Sequence, residues 1–419
     1  MEQNPYLTFA KAKQLILNET LLNKPSVEVE RIALADALNR IIAAPIISPM
    51  NVPSFNNSAM DGYAVRLSDL AENKSLMVAD TIFAGDEKAI NWPKNSCLRI
   101  MTGAQVPLEA DAIIMQEETQ LDHHQHVIFP NNIKKGQNIR YIGESVRKDA
   151  ELFPIGEKLT IPKLTTLATL GISHVEVYKP ITVAVFSTGN ELTPIGESLS
   201  SSSHIYDSNR FTICLLLQSL GCHVIDFGII KDDLTLISQT LQQAAKQADL
   251  VITSGGVSVG DADYTKQALE NIGQINFWKI AMKPGKPFAF GKIGKAMFCG
   301  LPGNPVSTLV TFYQLVRPLI QAMLGNQSGL LCNDLNKAQG FLVKTDCSLK
   351  KSVGRVDFQR GHLYVNENGE LVVTSTGQQG SHLTTSFHNA NCFIVLEKDR
   401  GNVNIGEDVT VELFESCLL

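Results

Sequence analysis

An α/β fold carrying additional β-rich domains is what this sequence predicts, and three observations carry it. From Ile181 onward, short apolar β-branched runs alternate with amphipathic helical segments. Residues 76–130 alternate apolar and polar side chains between Gly and Pro breaks, and residues 341–414 hold strand-like runs between Gly and Asn turns. At 419 residues the chain is also too long for one core, since roughly 100–200 residues is usual per domain and about two to four domains follow.

In chain order, the stretch "FNNSAMDGYAV", Phe55 to Val65, sets Ser58, Asp61 and Gly62 between two small apolar patches, as a loop pressed against another surface would. "SLMVADTIFAG", "SCLRIMTGA", "DAIIMQEE" and "HVIFP" then read as strands of a β-rich domain. His123, His124 and His126 have a metal-like spacing, but their neighbours in "QLDHHQHV" are turn formers, and the segment reads as a solvated hairpin tip. "ITVAVFSTG" is a strand closed by glycine. "YDSNRFTICLLLQSLG" follows as a helix with Asp207 or Ser208 as its cap and Gly221 as its stop. "CHVIDFGII", "DDLTLISQTLQQAAKQA", "DLVITSGG" and "DYTKQALENIG" continue as strand, helix, strand and helix, a rhythm that predicts a parallel, doubly wound sheet. Asn304-Pro305 opens a long helix that should end near "GNQSG", residues 325–329, a linker. "GFLVKT", "GRVDFQRGHLYV", "ELVVTST", "CFIVLE" and "DVTVELF" predict a small closing barrel or sandwich.

The formal net charge is −6, so the chain has no global positive field for a nucleic-acid backbone or an acidic membrane, and any anionic ligand must be held by local basic residues. The N-terminal "MEQNPYLTFAKAKQLILNETLL" lacks the basic-then-apolar order of a signal peptide, and no run of about 18 apolar residues occurs. A cytoplasmic protein with neither nucleic-acid nor membrane partners is expected. The eight cysteines form no CxxC pair and several sit in apolar runs, which points to packing rather than zinc or disulfides.

In doubly wound sheets ligands bind beyond the carboxyl ends of the strands, so the loops there matter most. "TSGGVSVGDADYTK" places Gly255 and Gly256 where positive φ lets backbone N–H groups turn toward one anion. With Ser258 and Gly260 it reads either as a phosphate cradle or as an ordinary strand-to-helix turn. "MKPGKPFAF" brings Lys283 and Lys286 to a turn stiffened by Pro284 and Pro287, suited to a dianion, and Ser307 in "GLPGNPVS" can add a donor. Glu191, Asp232, Asp261 and Asp263 lie beside these loops. Each reads as a helix cap or as a carboxylate sharing Mg²⁺ with a phosphate, which would relieve their like-charge repulsion.

Taken together, "PSFNNSAMDGYAVR", "IMTGA", "STGNEL", "IYDSNR", "TSGGVSVGDADYTK", "MKPGKPFAFG", "GLPGNPVS" and "FQRG" closely resemble the molybdopterin molybdenumtransferase family, the MoeA-type enzymes that include the E domain of gephyrin. The resemblance runs from about residue 7 to the C-terminus. It implies an L-shaped homodimer of four-domain subunits. Residues 7–27 and 180–328 would form a doubly wound MogA/MoaB-like domain, 28–50 and 146–179 a small linking and dimerisation domain, 51–145 the β-rich domain with the DGYA loop, and 329–419 a C-terminal β-barrel. The cleft would lie between the doubly wound domain of one subunit and the DGYA domain of the other, so Ser58 and Asp61 would face ligand.

The resemblance further implies the substrates, adenylylated molybdopterin and molybdate, with Mg²⁺ and release of AMP. A molybdopterin adenylyltransferase would act upstream and molybdoenzyme maturation factors downstream. Asp61, Glu191, Asp232 and Asp263 are then the carboxylates for Mg²⁺ or proton handling, with Lys279 and Lys283 as catalytic partners. Thr102, Arg140, Pro302 and Pro305 join the glycine loop around the pterin substrate. Lys286, Ser307, Arg360 and Ser381 would hold molybdate. One departure stands out: Ser145 follows Gly143-Glu144 where many relatives are acidic, which leaves open whether Glu144 supplies that charge. Two other readings compete. An adenylyltransferase for the same pterin would share the doubly wound domain but not the Arg360 region, and a gephyrin-like scaffold would be expected to carry a fused partner segment.

Overall fold

Helix α1 (Phe9–Leu22) buries Ala12 and Ile16, one turn apart, in the largest core of the protein. The residue pair just before it is stitched to that core by backbone, with the Leu7 N–H donating to Lys279 O at 2.9 Å and Ala281 N–H donating to Leu7 O at 2.8 Å. These facts come from a computed structural model that describes residues 6–22, 28–73, 75–87, 90–256, 264–326 and 340–414. Among the described residues no helix is long and apolar enough to cross a membrane.

Strands β1 (Val29–Ala33) and β2 (Ile46–Ile47) pair with partners far along the chain, which are introduced below. Between them and those partners lies the DGYA unit. It contains β3 (Asn57–Ser58), β4 (Gly62–Val65), the short helix α2 (Leu67–Glu72), β5 (Ser75–Ile82), β6 (Ser96–Ile100), β7 (Ala112–Met115), β8 (Gln120–Leu121), β9 (Val127–Ile128) and β10 (Ile139–Arg140). Its sheet runs β7-β4-β6-β5-β9-β8, and β3 pairs with β10 beside it. The β8–β9 hairpin places His123, His124 and His126 at its turn, where Asp122 accepts the His124 and His126 amides at 2.8 and 2.9 Å, so the hairpin-tip reading holds. Strands β11 (Glu151–Phe153) and β12 (His174–Tyr178), with α3 (Ile161–Thr169) between them, close the excursion: β2 pairs with β11 and β1 with β12, over a core of Ile42, Leu159, Leu167, Val175 and Val177.

The doubly wound unit contains β13 (Thr182–Thr188), β14 (Leu192–Thr193), β15 (Ile205–Tyr206), α4 (Ser208–Ser219), β16 (His223–Ile230), α5 (Leu234–Gln247), β17 (Leu250–Ser254), α6 (Tyr264–Ile272), β18 (Gln274–Lys279), β19 (Met282–Lys283), β20 (Pro287–Ile293) and β21 (Ala296–Leu301). Its main sheet runs β16-β13-β17-β21-β20-β18. Alternate residues serve opposite faces. Val183, Val185, Leu250 and Ile252 pack toward α1 and α4, whereas Ala184, Phe186 and Val251 pack toward α5 and α6. The strands of the predicted strand-helix rhythm, β13, β16 and β17, run parallel as expected, and an antiparallel edge adds to them. β20 runs antiparallel to both β21 and β18, because Gly294 at φ +60° turns β20 straight back into β21 and leaves no length for a crossover helix.

A long helix follows as α7 (Pro305–Thr311), a π-turn over Phe312–Val316 and α8 (Arg317–Met323). Pro318 has no N–H to give and crowds the preceding turn, and the widened turn accommodates it. The C-terminal strands β22 (Phe341–Thr345), β23 (Val356–Val365), β24 (Leu371–Ser375), β25 (Cys392–Leu396) and β26 (Asp408–Leu413) form a closed ring of pairings, β23-β24-β22-β26-β25-β23, and so a barrel. Strand β19 adds to β23 from outside, and Phe358, Phe393 and Val395 enter the main core, so barrel and doubly wound unit share packing. The described cysteines are unpaired, and burial pushes the Cys97, Cys222 and Cys392 thiols up to about 12.

Gly62 is the tightest point of the DGYA motif. A Cβ there would stand 2.1 Å from the backbone oxygen of Ile114 on β7. Gly62→Ala is therefore expected to cost about 1–3 kcal/mol or more by overpacking, read as a lowered thermal midpoint. Gly401→Ala, with nothing within 4 Å of the added carbon, should stay within about 0.5 kcal/mol of the parent.

Candidate functional site

The carboxyl edge of the parallel strands gathers four loops. After β13 come Gly189, Asn190 and Glu191; after β16, Asp232; after β17, Gly255 and Gly256; after β21, Pro302 to Asn304. Reciprocal bonds tie the first two: Asn190 N–H donates to Asp232 Oδ2, and Asp232 N–H to Asn190 Oδ1, both at 3.2 Å. Glu191 folds its carboxylate over Gly189, where a Cβ would lie 2.6 Å from Oε2. Glu191 and Asp232 are thus brought to one corner of the edge.

Gly255 and Gly256 have φ of +89° and +64°, and a Cβ would meet Thr188 O at 2.9 Å and Thr265 Oγ1 at 2.1 Å. The loop therefore needs glycine for both conformation and close approach. Ser258, Gly260, Asp261 and Asp263, read as the rest of the cradle and its acidic neighbours, lie outside the described residues. Pro302 O accepts from Thr308 Oγ1 at 2.6 Å, and Pro305 opens α7, so both prolines shape the fourth loop.

The start of α4 binds these loops together. Asp207, almost fully buried, caps the helix by accepting from the Arg210 N–H, accepts from Ser187 Oγ at 2.9 Å and takes the Arg210 guanidinium at 2.7 Å. Asn209 Nδ2 donates to Ser254 Oγ at 2.9 Å and to Gly303 O at 2.8 Å, joining the β17 and β21 loops. The sequence motif "IYDSNR" signals the Asp207 cap, whereas the bonds of Asp207 to Ser187 and of Asn209 to Ser254 and Gly303 join residues distant in the chain.

A second cluster forms where the 282–287 turn meets the barrel. Lys283 Nζ lies 3.6 Å from the buried Asp357 Oδ2, so Asp357, unnoticed in the sequence, sets the lysine's position. Lys286 Nζ stands 4.8 Å over the Tyr6 ring. Its hydrogen bond to the phenol lowers the Tyr6 pKa, and the positive charges of Lys286, Arg355 and Lys279 add to the effect, which places Lys279 and Lys286 in one cationic group. Gly285, at φ +104°, sits against Thr311 on α7, where a Cβ would lie 2.6 Å from Oγ1; Ser307 is one turn earlier on that helix and nearly buried.

Arg360 is 1% exposed, and its guanidinium donates to Ser386 Oγ at 2.9 Å and Gly380 O at 3.4 Å. Burial pulls its pKa down to about 10, so it stays charged at neutral pH. Ser381 follows Gly380 in the same loop. A cavity of about 240 Å³ lies between α4 and α7, with Ser208, Asn209, Pro305 and Thr308 in its lining and Thr384 of the barrel on one side.

The third group is apart. Asp61 Oδ1 accepts from the Thr102 N–H and Thr102 Oγ1, each at 2.7 Å, and these bonds, the backbone one first, lower its pKa. Arg140 pairs with Asn57 across β10–β3, next to this loop. Ser58 requires a correction. It is fully buried, and its hydroxyl donates to Met60 O at 2.5 Å, so it shapes the turn instead of facing ligand. Glu144 accepts the Tyr141 amide at 2.8 Å, which makes it a turn residue beside Ser145. Among the described residues the hydrogen bonds of Asp61 and the strand pairing of Arg140 stay within their own unit.

A multi-domain α/β protein with an anion-suited sheet edge and a separate cationic seam is the class that this fold and site define. Residues 7–171 match the model of the MoeA N-terminal region (domain I and II), 184–322 that of a probable molybdopterin binding domain, and 343–414 that of the MoeA C-terminal region (domain IV). The chain is 52% identical over 412 residues to a molybdopterin molybdenumtransferase from Haemophilus influenzae, covering 98% of this chain and 100% of that protein. It is 31% identical to gephyrin from Dictyostelium discoideum, spanning 91% of this chain and 59% of gephyrin. The crystal structure of a molybdopterin biosynthesis MoeA protein from Pyrococcus horikoshii aligns with a TM-score of 0.77 at 29% identity, covering 98% of this chain and 100% of that one. This chain belongs to the molybdopterin molybdenumtransferase family.

The Asp61–Thr102 pair generates a pH test. Two bonds to the ionised carboxylate hold its pKa below the ordinary value, so the wild-type group stays charged to lower pH. Thr102→Val removes the hydroxyl bond but keeps the amide. Asp61 should then protonate at higher pH than in the parent, though still below an unbonded carboxylate, as read by carboxyl carbon NMR titration.

Proposed function

We propose that this chain inserts molybdenum from molybdate into adenylylated molybdopterin, with release of AMP, and that it does so as a homodimer. The observation that carries the reading is the presence of two anion-suited regions in one chain, a sheet edge with the Gly255-Gly256 loop, Glu191 and Asp232, and a seam with the buried or paired cations Arg360 and Lys283. The pyrophosphate of the substrate would lie against the Gly255-Gly256 loop, whose two glycines carry no side chain of their own to hold a phosphate off the backbone. Molybdate would be held by Lys283, Lys286, Ser307, Arg360 and Ser381.

Glu191 and Asp232 suit a magnesium ion. Among the described residues no group of three or more His, Cys, Asp or Glu side chains forms a self-sufficient metal site, and Mg²⁺ commonly takes only one or two carboxylates and completes its shell with water and substrate phosphates. When bound, the ion would neutralise phosphate charge as the adenylate leaves. Asn190 fixes Asp232 for that purpose, and Lys279 and Lys283 offer positive charge to the substrate oxygens.

The separation of Asp61 from the edge supports the dimer. Phe55, Met60, Tyr141 and Ile142, exposed around its loop, provide an apolar rim for a second subunit. In this reading the partner's Asp61 loop completes each cleft, a molybdopterin adenylyltransferase supplies the substrate, and molybdoenzyme maturation factors receive the product in the cytoplasm. The four-domain division proposed from the sequence serves the same arrangement.

AMP release from adenylylated molybdopterin with Mg²⁺ should depend on added molybdate, with metal recovered on the pterin. Pterin adenylylation from ATP would instead identify an adenylyltransferase, and substrate binding without AMP release would identify a binding or scaffold protein. The shared cleft has its own test. Asp61→Ala and Glu191→Ala should each be inactive, while co-refolded mixtures should regain about a quarter of parental activity, because half the dimers are mixed and each mixed dimer has one intact site of two. No recovery would place both carboxylates in one subunit's cleft.

A further inference from the structure

The Asn209 amide carries more than loop bracing. Gly303 O can only accept a hydrogen bond, so the NH₂ side of the amide must face it at 2.8 Å, and the same nitrogen reaches Ser254 Oγ at 2.9 Å. The other side of the amide is thereby fixed. Its Oδ1 is buried and has no hydrogen-bond partner, while the residue lines the cavity of about 240 Å³ between α4 and α7. A buried acceptor with no partner carries an unmet desolvation cost, which a donor brought by a ligand in the neighbouring cavity would relieve.

The cavity lining narrows the ligand. Ile213, Leu216, Pro305, Leu309 and Phe312 give it apolar walls, and Thr308 and Thr384 add hydroxyls. Such a space suits a flat, largely apolar ring with polar N–H groups at its edge and does not suit the phosphates, whose suited loops lie at the sheet edge. We propose that Asn209 Oδ1 accepts an N–H of the pterin ring, making Asn209 a specificity residue for the pterin end of the substrate. This rests on the proposed function, because it takes adenylylated molybdopterin as the ligand. The same side chain then couples recognition to geometry: its NH₂ sets the spacing of the β17 and β21 loops, and its oxygen reads the ring.

Three ligands and two variants separate the possibilities, with binding followed by fluorescence or calorimetry on the full-length dimer. Asn209→Ala should weaken adenylylated molybdopterin at least tenfold, leave molybdate retention unchanged and leave AMP, which has no pterin, within about twofold of the parent. Ser254→Ala removes one brace without touching Oδ1, and should weaken the pterin ligand by less than threefold. Equal losses in the two variants, or an equal loss of AMP binding in Asn209→Ala, would assign Asn209 to loop bracing alone and overturn the proposal. Unchanged pterin binding in Asn209→Ala with an unchanged melting curve would overturn it as well. A parental protein that binds no pterin substrate would overturn the proposed function first, a result distinct from all of these.

Discussion

Covering both faces of one parallel sheet is the constraint on which the rest of this structure depends. Strands β13, β17 and β21 are apolar on both sides, and each must be sandwiched between helices to keep those side chains from water. Parallel strands with intervening helices all finish at the same rim. Four loops from distant parts of the sequence therefore arrive together without any attraction among themselves. What the loops need is spacing, and a few polar side chains provide it: Asn190 with Asp232, Asn209 with Ser254 and Gly303, Ser187 with Asp207.

The cationic seam follows a different logic. A buried guanidinium with neutral acceptors gains little from them compared with the hydration it gives up. Arg360 survives in this state because the barrel wall holds its place, through β23 pairing and the Ser386 and Gly380 acceptors, and its burial lowers its pKa more than the charge of Asp357 raises it. Asp357 is the nearest relief, but its carboxylate also serves Lys283 and accepts from Gln359 at 3.3 Å. An arriving oxyanion would find one buried cation undersupplied with negative charge and another already positioned. A protein of net charge −6 can attract a dianion at such a point only by local arrangement of this kind.

Much of this was legible in the sequence where local chemistry decides structure. The strands of the doubly wound unit, the Asp207 cap, the Gly221 stop and the C-terminal strand series all follow from period, cap and turn residues. The antiparallel edge was not, because β20 and β21 are largely apolar runs of similar length to the parallel strands and only the Gly294 turn distinguishes a hairpin from a crossover. Ser58 was misassigned since a buried turn hydroxyl and a ligand-facing one have the same sequence context. Asp357 and Asn209 went unread for a further reason: their partners, Lys283 and the pair Ser254 and Gly303, lie 74, 45 and 94 residues away, and no spacing rule spans such distances.

The glycines show how the two kinds of information meet. Gly62 and Gly256 are both conspicuous in sequence, one inside a strand and one inside a loop, and the usual reason for either would be conformational freedom. Gly256 does have positive φ, but Gly62 does not; it is glycine because β7 backbone passes where a side chain would begin. That close pairing of β4 with β7 anchors the end of the loop carrying Asp61, whose backbone carbonyl also accepts from Gln116 just beyond β7. The exposed carboxylate is therefore presented from a rigid base, which fixes its position although no burial of its own does.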